Sequence, residues 1–206
     1  MSPRVDVIHA DSRDALATMR YGAILADPPW QFKTLWDTTT GPGNRNADYT
    51  TMDVPEICAL PVQDLAADDC VLFIWGIWIL MPRVFDVIAA WGFTYKTCAF
   101  DWMKANTRQP DMFRDDADVQ MGLGYWTRAN SEACLLATRG KPKRLSKNVR
   151  QGIISPRRQH SRKPDEIYSR IERLVAGPYV ELFARTRRPG WDQAFSNEPD
   201  KFTATA

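Results

Sequence analysis

The stretch Tyr21-Gly-Ala-Ile-Leu-Ala-Asp-Pro-Pro-Trp30 constrains this chain more than any other. Ala23, Ile24, Leu25 and Ala26 form an apolar run too short for a helix and suited to a buried strand, and the run stops at Asp27. Such a strand delivers a carboxylate to the mouth of a sheet. In open α/β sheets, ligands bind in the crevice beyond the carboxyl ends of the strands. Pro28 and Pro29 fix two φ angles, remove two N–H donors and hold the preceding residues extended, so the turn reads as a rigid rack of carbonyl acceptors. Trp30 adds a flat aromatic face. Two acceptors holding the hydrogens of an exocyclic amine on a planar base would turn its delocalised lone pair out of the ring plane, toward an electrophile. The plainer reading is a proline-rich strand end with no chemistry, and four residues alone leave the two readings balanced.

The chain has 206 residues, 44% of them hydrophobic, enough for one domain with a sizeable core. No apolar run approaches the roughly 18 residues of a membrane span, and Met1-Ser-Pro-Arg lacks a signal peptide's apolar segment. The expectation is a soluble, cytoplasmic protein with no membrane partner. Cys58, Cys70, Cys98 and Cys134 are widely spaced, and His9 and His160 are the only histidines. That pattern suggests reduced, buried thiols rather than a zinc site or a disulfide framework, and no metal is expected.

Strands and helices alternate along the sequence. Val5-Asp-Val-Ile-His9 reads as a strand, followed by a short helix capped by Asp11 and Ser12 and running through Met19. The Asp27 strand comes next, and then a long polar segment of the kind that forms a mobile loop, about 31–50. Asp53-Val-Pro-Glu-Ile reads as a capped helix, Val71 to Trp75 as a buried strand, and Ile79 to Trp91 as a helix whose face is Val84, Val87, Ile88 and Trp91, stopped by Gly92. Phe93 to Lys104 is strand-like. A second mobile loop spans about 107–125. Glu132 to Thr138 reads as a strand, 139–163 as a basic loop, Pro164 to Val175 as a helix, Tyr179 to Phe183 as a last buried strand, and Ala204 to Ala206 as a frayed end. This βα alternation argues for an α/β fold: a mostly parallel, doubly wound sheet with helices on both faces.

Asp27-Pro-Pro-Trp30, Tyr49-Thr-Thr-Met52, Val71-Leu-Phe-Ile-Trp75, Trp102-Met-Lys104, Ser161-Arg-Lys-Pro-Asp-Glu-Ile-Tyr168 and Glu181-Leu-Phe-Ala-Arg185 occur in this order, followed by Pro189-Gly-Trp191 and Asn197. The ensemble resembles the adenine methyltransferase family that includes the catalytic subunit of the eukaryotic mRNA 6-methyladenosine writer and many bacterial and prophage DNA adenine methyltransferases. The resemblance covers the chain from about Asp6 to Glu198. It implies a Rossmann-like, S-adenosylmethionine-dependent methyltransferase as a single domain over residues 1–206, with a reversed last strand completing the parallel set. The absence of a G-x-G-x-x-G turn fits that family and excludes a standard dinucleotide-binding dehydrogenase.

Carried over position by position, the resemblance makes Asp27, Pro28, Pro29 and Trp30 the catalytic set. Asp27 and the Pro28 carbonyl would hold the adenine amine, while Pro29 and Trp30 supply the rigid, stacking remainder. Asp6 and Val7 would lie near the adenine ring of S-adenosylmethionine and Lys163 at its carboxylate. Arg185 would stand on the ribose side, and Asn197 with Glu198 at the ribose hydroxyls. The family's best-known member has Gln at the Glu198 position, and a carboxylate still accepts both hydroxyl protons. Each residue also has a plain alternative: Lys163 as one more surface cation, Arg185 as an ion-pair partner, Asn197 as a turn cap, Tyr49 as loop packing and Trp75 as core.

Arg139, Lys141, Lys143, Arg144, Lys147, Arg150, Arg157, Arg158, Arg162 and Lys163 follow one another with no intervening acid. A charge run is usually a solvated face. Beside a motif built for a base, it reads better as phosphate contact, with Trp30, Tyr49, Lys104, Arg157 and Arg158 as nucleic-acid-binding residues. A base inside a duplex cannot reach Asp27, so the substrate is single-stranded or the base is flipped. The expected function is formation of 6-methyladenine in DNA. The same reaction on RNA and a catalytically silent nucleic-acid-binding subunit are the alternatives, and a homodimer or heteromer is left open.

Overall fold

The structure, a computed structural model, describes residues 19–31, 51–106, 118–122, 126–157 and 162–195. Asp6, Val7, Tyr49, Arg158, Asn197 and Glu198 lie outside these residues, as do the strand and helix expected before Met19, the frayed end and most of the two expected loops, of which 31 and 118–122 are described.

Among the described residues one sheet carries seven strands: β1 (Tyr21–Ala26), β2 (Ala66–Gly76), β3 (Thr94–Ala105), β4 (Ser131–Arg139), β5 (Gly152–Pro156), β6 (Tyr179–Leu182) and β7 (Trp191–Ala194). Their spatial order is β5-β3-β4-β2-β1-β6-β7. β1 pairs in parallel with β2 and β6, β6 with β7, and β3 with β5. β4 is antiparallel to both of its neighbours, β2 and β3. The mostly parallel, doubly wound sheet is therefore as expected, but the reversed strand is β4 in the interior, and the last strand, β7, runs with the rest. Parallel neighbours need a long crossover, usually a helix. Helix α2 (Met81–Ala90) supplies one between β2 and β3, setting β3 two positions away, and β4 returns antiparallel into the gap.

The helices cover both faces, because successive strand residues point to opposite sides. Ile24, Ala26, Leu72 and Ile74 pack in one core with Ile57 of α1 (Val54–Cys58) and with Val84, Val87 and Ile88 of α2. The alternate residues Ala23, Leu25, Val71, Phe73 and Trp75 pack in a second core with Ile167 and Ile171 of α3 (Glu166–Leu174). Burial on both sides explains why β1 and β2 read as unbroken apolar runs. The α1 cap is reciprocal: Asp53 Oδ1 accepts from Glu56 N and Glu56 Oε2 accepts from Asp53 N, each at 2.8 Å. Gly92, at φ +78°, ends the α2 segment in the left-handed conformation that suits glycine. Among the described residues no helix is long and apolar enough to cross a membrane.

β5 and β7 are the elements that the sequence hid. Gly152 and Pro156 bracket β5 and carry loop signals, yet Trp102, Met103 and Lys104 of β3 pair with Ile153, Ile154 and Ser155. This short strand divides the basic segment. β4 ends at the amino edge of the sheet, where Arg139 is opposite Cys70, and Gly140 turns the chain there at φ +64°. A side chain at Gly140 would strike Asp68 O, 2.2 Å from its Cβ, so only glycine fits. Lys141 N donates to Asp69 Oδ1 and Leu145 N to Leu174 O, which keeps residues 141–145 at that edge. β5 then crosses to the carboxyl edge, where Arg157 follows it.

Candidate active site

Six strands end at one edge, and the reversal of β4 makes it begin there. Asp27 after β1, Trp75 near the end of β2, Lys104 in β3, Glu132 in β4 and Arg157 after β5 therefore share one rim. Leu25 pairs with Glu181 and Trp102 with Glu132, so Glu181 and Glu132 project on the face of the second core, as does Asp27 two residues beyond Leu25. The chain reaches Lys163 just before α3, which covers that same face.

A row of alternating charges results. Lys163 Nζ donates to Asp27 Oδ2 at 2.8 Å and lies 3.3 Å from Glu132 Oε2. Glu132 also pairs with Lys104. All four side chains are largely buried. Burial opposes charge on Lys163, but Asp27 and Glu132 outweigh it and raise its pKa, so the ammonium persists at neutral pH. Burial likewise opposes ionisation of Glu132, and Lys163 and then Lys104 overcome it, holding the carboxyl below its ordinary range. Two tryptophans floor the row: Lys163 Nζ sits 5.5 Å from the Trp75 ring centroid and Lys104 Nζ 5.2 Å from that of Trp102, within cation–π range. The rings meet edge-on at 6.5 Å.

Next to this row, Glu181 accepts from Tyr168 Oη at 3.0 Å to each carboxylate oxygen. Burial pushes its pKa up to about 7; the Tyr168 bond lowers it and the charge of Asp27 raises it again. Arg188 lies 3.8 Å over the Tyr168 ring and pairs with Asp165 at 3.3 Å. Phe183, at φ +63°, turns the chain sharply after β6 and donates its N–H to Ala194 O at 3.0 Å, leading to Ala184 and Arg185. Such a conformation costs on the order of 1–3 kcal/mol, and the packed ends of β6 and β7 hold it.

The proline turn differs from a rack of open acceptors. Pro28 O accepts from Trp30 N and Pro29 O from Met52 N, each at 2.8 Å, leaving each carbonyl one further lone pair. Trp30 presents no open stacking face: it is 6% exposed, and its indole donates to Trp75 O at 3.0 Å. The reason is apolar area; a ring of that size gains more from the first core than from the rim. Asp27, Lys163 and Lys104 are brought together, Arg185 follows β6, and Arg157 stands exposed at the rim. Glu132 and Glu181 join the cluster with no role assigned by sequence. The available signal was an acid inside or heading an otherwise apolar strand, Glu132-Ala-Cys-Leu-Leu and Tyr179-Val-Glu-Leu.

The ligand implied by the sequence resemblance, S-adenosylmethionine, carries an ammonium, a sulfonium and a carboxylate, and the donor set matches. Asp27 and Glu181 offer acids for the cationic groups, and Lys163 offers a cation for the carboxylate. Ser155 Oγ, on the strand position opposite Lys104, is buried with no hydrogen-bond partner among the described residues, an orphan of the kind that a bound polar group satisfies. No group of three His, Cys, Asp or Glu suited to a metal ion occurs among the described residues.

Residues 21–194 match the family model described as MT-A70. Over 202 residues the chain is 32% identical to a type II methyltransferase, M.MunI, of a Mycoplasma species, a match covering 90% of this chain and 81% of the relative. It is 30% identical over 177 residues to the N(6)-adenosine-methyltransferase MT-A70-like protein of Drosophila melanogaster, and 28% identical over 177 residues to the human N(6)-adenosine-methyltransferase catalytic subunit METTL3. Each of these two matches covers 84% of this chain but only 26% and 27% of the relative, so the chain spans about a quarter of their length.

Proposed function

Since the chain belongs to the MT-A70 family, we propose that it transfers a methyl group from S-adenosylmethionine to the exocyclic amine of adenine in DNA. The observation that carries this reading is the Asp27–Lys163 pair at the carboxyl end of β1, directly before the proline turn. S-adenosylmethionine, when bound, supplies an electrophilic methyl group on a sulfonium with a neutral thioether as leaving group. Everything else falls to the chain. Lys163 engages Oδ2 of Asp27 and leaves Oδ1 to accept one hydrogen of the amine. The second lone pair of Pro28 O accepts the other. With both hydrogens held, the nitrogen lone pair is aimed out of the ring plane, and the proton that the amine sheds passes to the Asp27 carboxylate and on to solvent. Glu132 fixes Lys163 from its other side, so the ammonium cannot swing away from Asp27 without breaking a second pair.

Asp27, Lys163, Glu181 and Arg185 are the described residues that would hold the cofactor, with Asp6, Val7, Asn197 and Glu198 completing its site outside them. Lys104, Arg157 and Arg158 would meet the nucleic acid, joined by Tyr49. No metal is required, because positioning rather than leaving-group activation is the main demand of the reaction. We take its setting to be the cytoplasm of a bacterial or phage-infected cell. DNA is favoured over RNA by the extent of the match to the type II methyltransferase, 81% of that relative against about a quarter of the adenosine methyltransferases.

The test is transfer of tritium from methyl-labelled S-adenosylmethionine to duplex DNA, single-stranded DNA and RNA in parallel, followed by digestion to nucleosides. Label in 6-methyldeoxyadenosine is the expected result. Label confined to RNA would move the substrate, and no label in any nucleic acid would overturn the reading.

A further inference from the structure

Among the described residues, four large apolar side chains stand exposed around the start of β4: Trp78 at 54%, Ile79 at 40%, Met121 at 76% and Trp126 at 99%. Backbone and side-chain bonds bring them to the active-site rim. The Trp78 indole donates to Ser131 O at 3.1 Å, and Ser131 precedes Glu132. Gln120 N donates to Lys104 O at 2.7 Å, Lys104 N to Asn130 O at 3.0 Å and Gly122 N to Ala129 O at 2.9 Å, which anchors the segments bearing Met121 and Trp126 beside Lys104. The other exposed aromatics behave differently. Phe85 and Tyr95 pack edge-on against each other at 4.9 Å, and Tyr95 stands at the amino end of β3, away from the rim.

An indole left wholly in water gives up the stabilisation of burying a large ring, and apolar groups gathered at one rim mark an interaction surface. Its charge points to the occupant. Asp27 and Glu132 offset the charges of Lys163 and Lys104, and Arg128, between Trp126 and Ser131, adds an exposed cation. A partner with flat apolar faces and a negative backbone suits that mixture. Every nucleobase has a π-face, so stacking on aromatic side chains with cations along the backbone is how single strands are held without reading sequence.

We propose that Trp78, Ile79, Met121 and Trp126 form a stacking rim for the bases that flank the target nucleotide in a single-stranded or locally opened nucleic acid. This rests on the nucleic-acid substrate proposed above. The rim begins next to the acid that fixes Lys163, because the Trp78 indole bonds to Ser131 beside Glu132. Because Trp30 is buried, the platform for unstacked bases is supplied by these residues instead.

The experiment measures fluorescence anisotropy of a fluorescein-labelled single-stranded DNA of about 12 nucleotides, a length within the usual site sizes of such proteins. The parent is compared with Trp78→Ala, Trp78→Phe and Trp126→Ala. Each alanine variant raises Kd for the long strand about tenfold, the low end for loss of one stacked base. Trp78→Phe recovers most of the affinity. S-adenosylmethionine binding by calorimetry stays at the parental level. Trp126 is 99% exposed, so its replacement keeps the fold even where Trp78→Ala does not. Equal binding by the parent and Trp126→Ala overturns the rim, and so does a change in molecular mass by light scattering with unaltered DNA affinity, which would make this face a protein interface. A parent that methylates no nucleic acid, yet binds the strand through Trp78 and Trp126, overturns the methylation reading and leaves the rim standing.

Discussion

Lys163 and Asp27 are 136 positions apart in the chain and 2.8 Å apart in the structure. The ammonium takes one carboxylate oxygen and, on its other side, faces Glu132 at 3.3 Å. Asp27 is thus a braced acceptor rather than a lone acid at the end of a strand. The brace consists of two lysines and two acids in alternation, over a floor of Trp75 and Trp102.

Replacing Lys163 with Met removes the cation shared by Asp27 and Glu132. Breaking a buried pair by deleting one partner typically costs about 3–5 kcal/mol, and exposure screens part of that. With 25% of the Asp27 side chain exposed, a loss of about 2–4 kcal/mol in urea denaturation is expected. Combining it with Asp27→Asn gives a double-mutant cycle whose coupling should exceed about 1 kcal/mol. Strictly additive losses would mean that the two groups do not interact.

Glu181 makes stability depend on pH. Its folded pKa, about 7, lies above the ordinary carboxylate value of 4.5, so between the two the folded protein holds a proton that the unfolded chain has released. The contribution is full below the unfolded pKa and is lost as pH rises through 7. Glu181→Gln, which keeps the bond from Tyr168, should leave thermal stability unchanged at about pH 4.5 and raise it above pH 7.5. An identical pH profile in parent and variant would contradict the proposed burial of this carboxyl.

The basic segment should split into two classes. Arg157 stands at the catalytic edge, whereas Lys141 and Lys143 belong to the stretch held against the opposite edge by the backbone bonds of Lys141 and Leu145. Arg157→Glu should raise KM for DNA and lower the slope of log K against log salt by about one unit or more. Lys141→Glu with Lys143→Glu should change neither. Equal effects from both variants, in binding isotherms across a salt series, would show that nucleic acid reaches the far edge.

The sheet was legible because its strands are buried on both faces: Ala23 to Ala26 and Val71 to Trp75 can be little else. The α1 cap was equally plain in Asp53 and Glu56. β5 was not, since Gly152 and Pro156 are turn residues and its pairing partner lies some fifty positions earlier. The reversal of β4 was hidden for a similar reason; an apolar strand has no sequence mark of its direction. That reversal is what brings Glu132 to the site, so an acid visible in the sequence had no place there until the topology was known. Trp30 failed in the other direction: the motif promised an open face, and the core claimed the ring.

The central claim is that Asp27 acts on the amine during transfer, and Asp27→Asn tests it most directly. Single-turnover transfer of labelled methyl to DNA at saturating S-adenosylmethionine should fall by about 10²-fold or more, as for other preorganised acceptors and donors that work on the transition state, while cofactor affinity by calorimetry stays within about tenfold. Transfer that persists within a few fold of the parent, or a loss of cofactor affinity with an unchanged rate at saturation, would contradict the account.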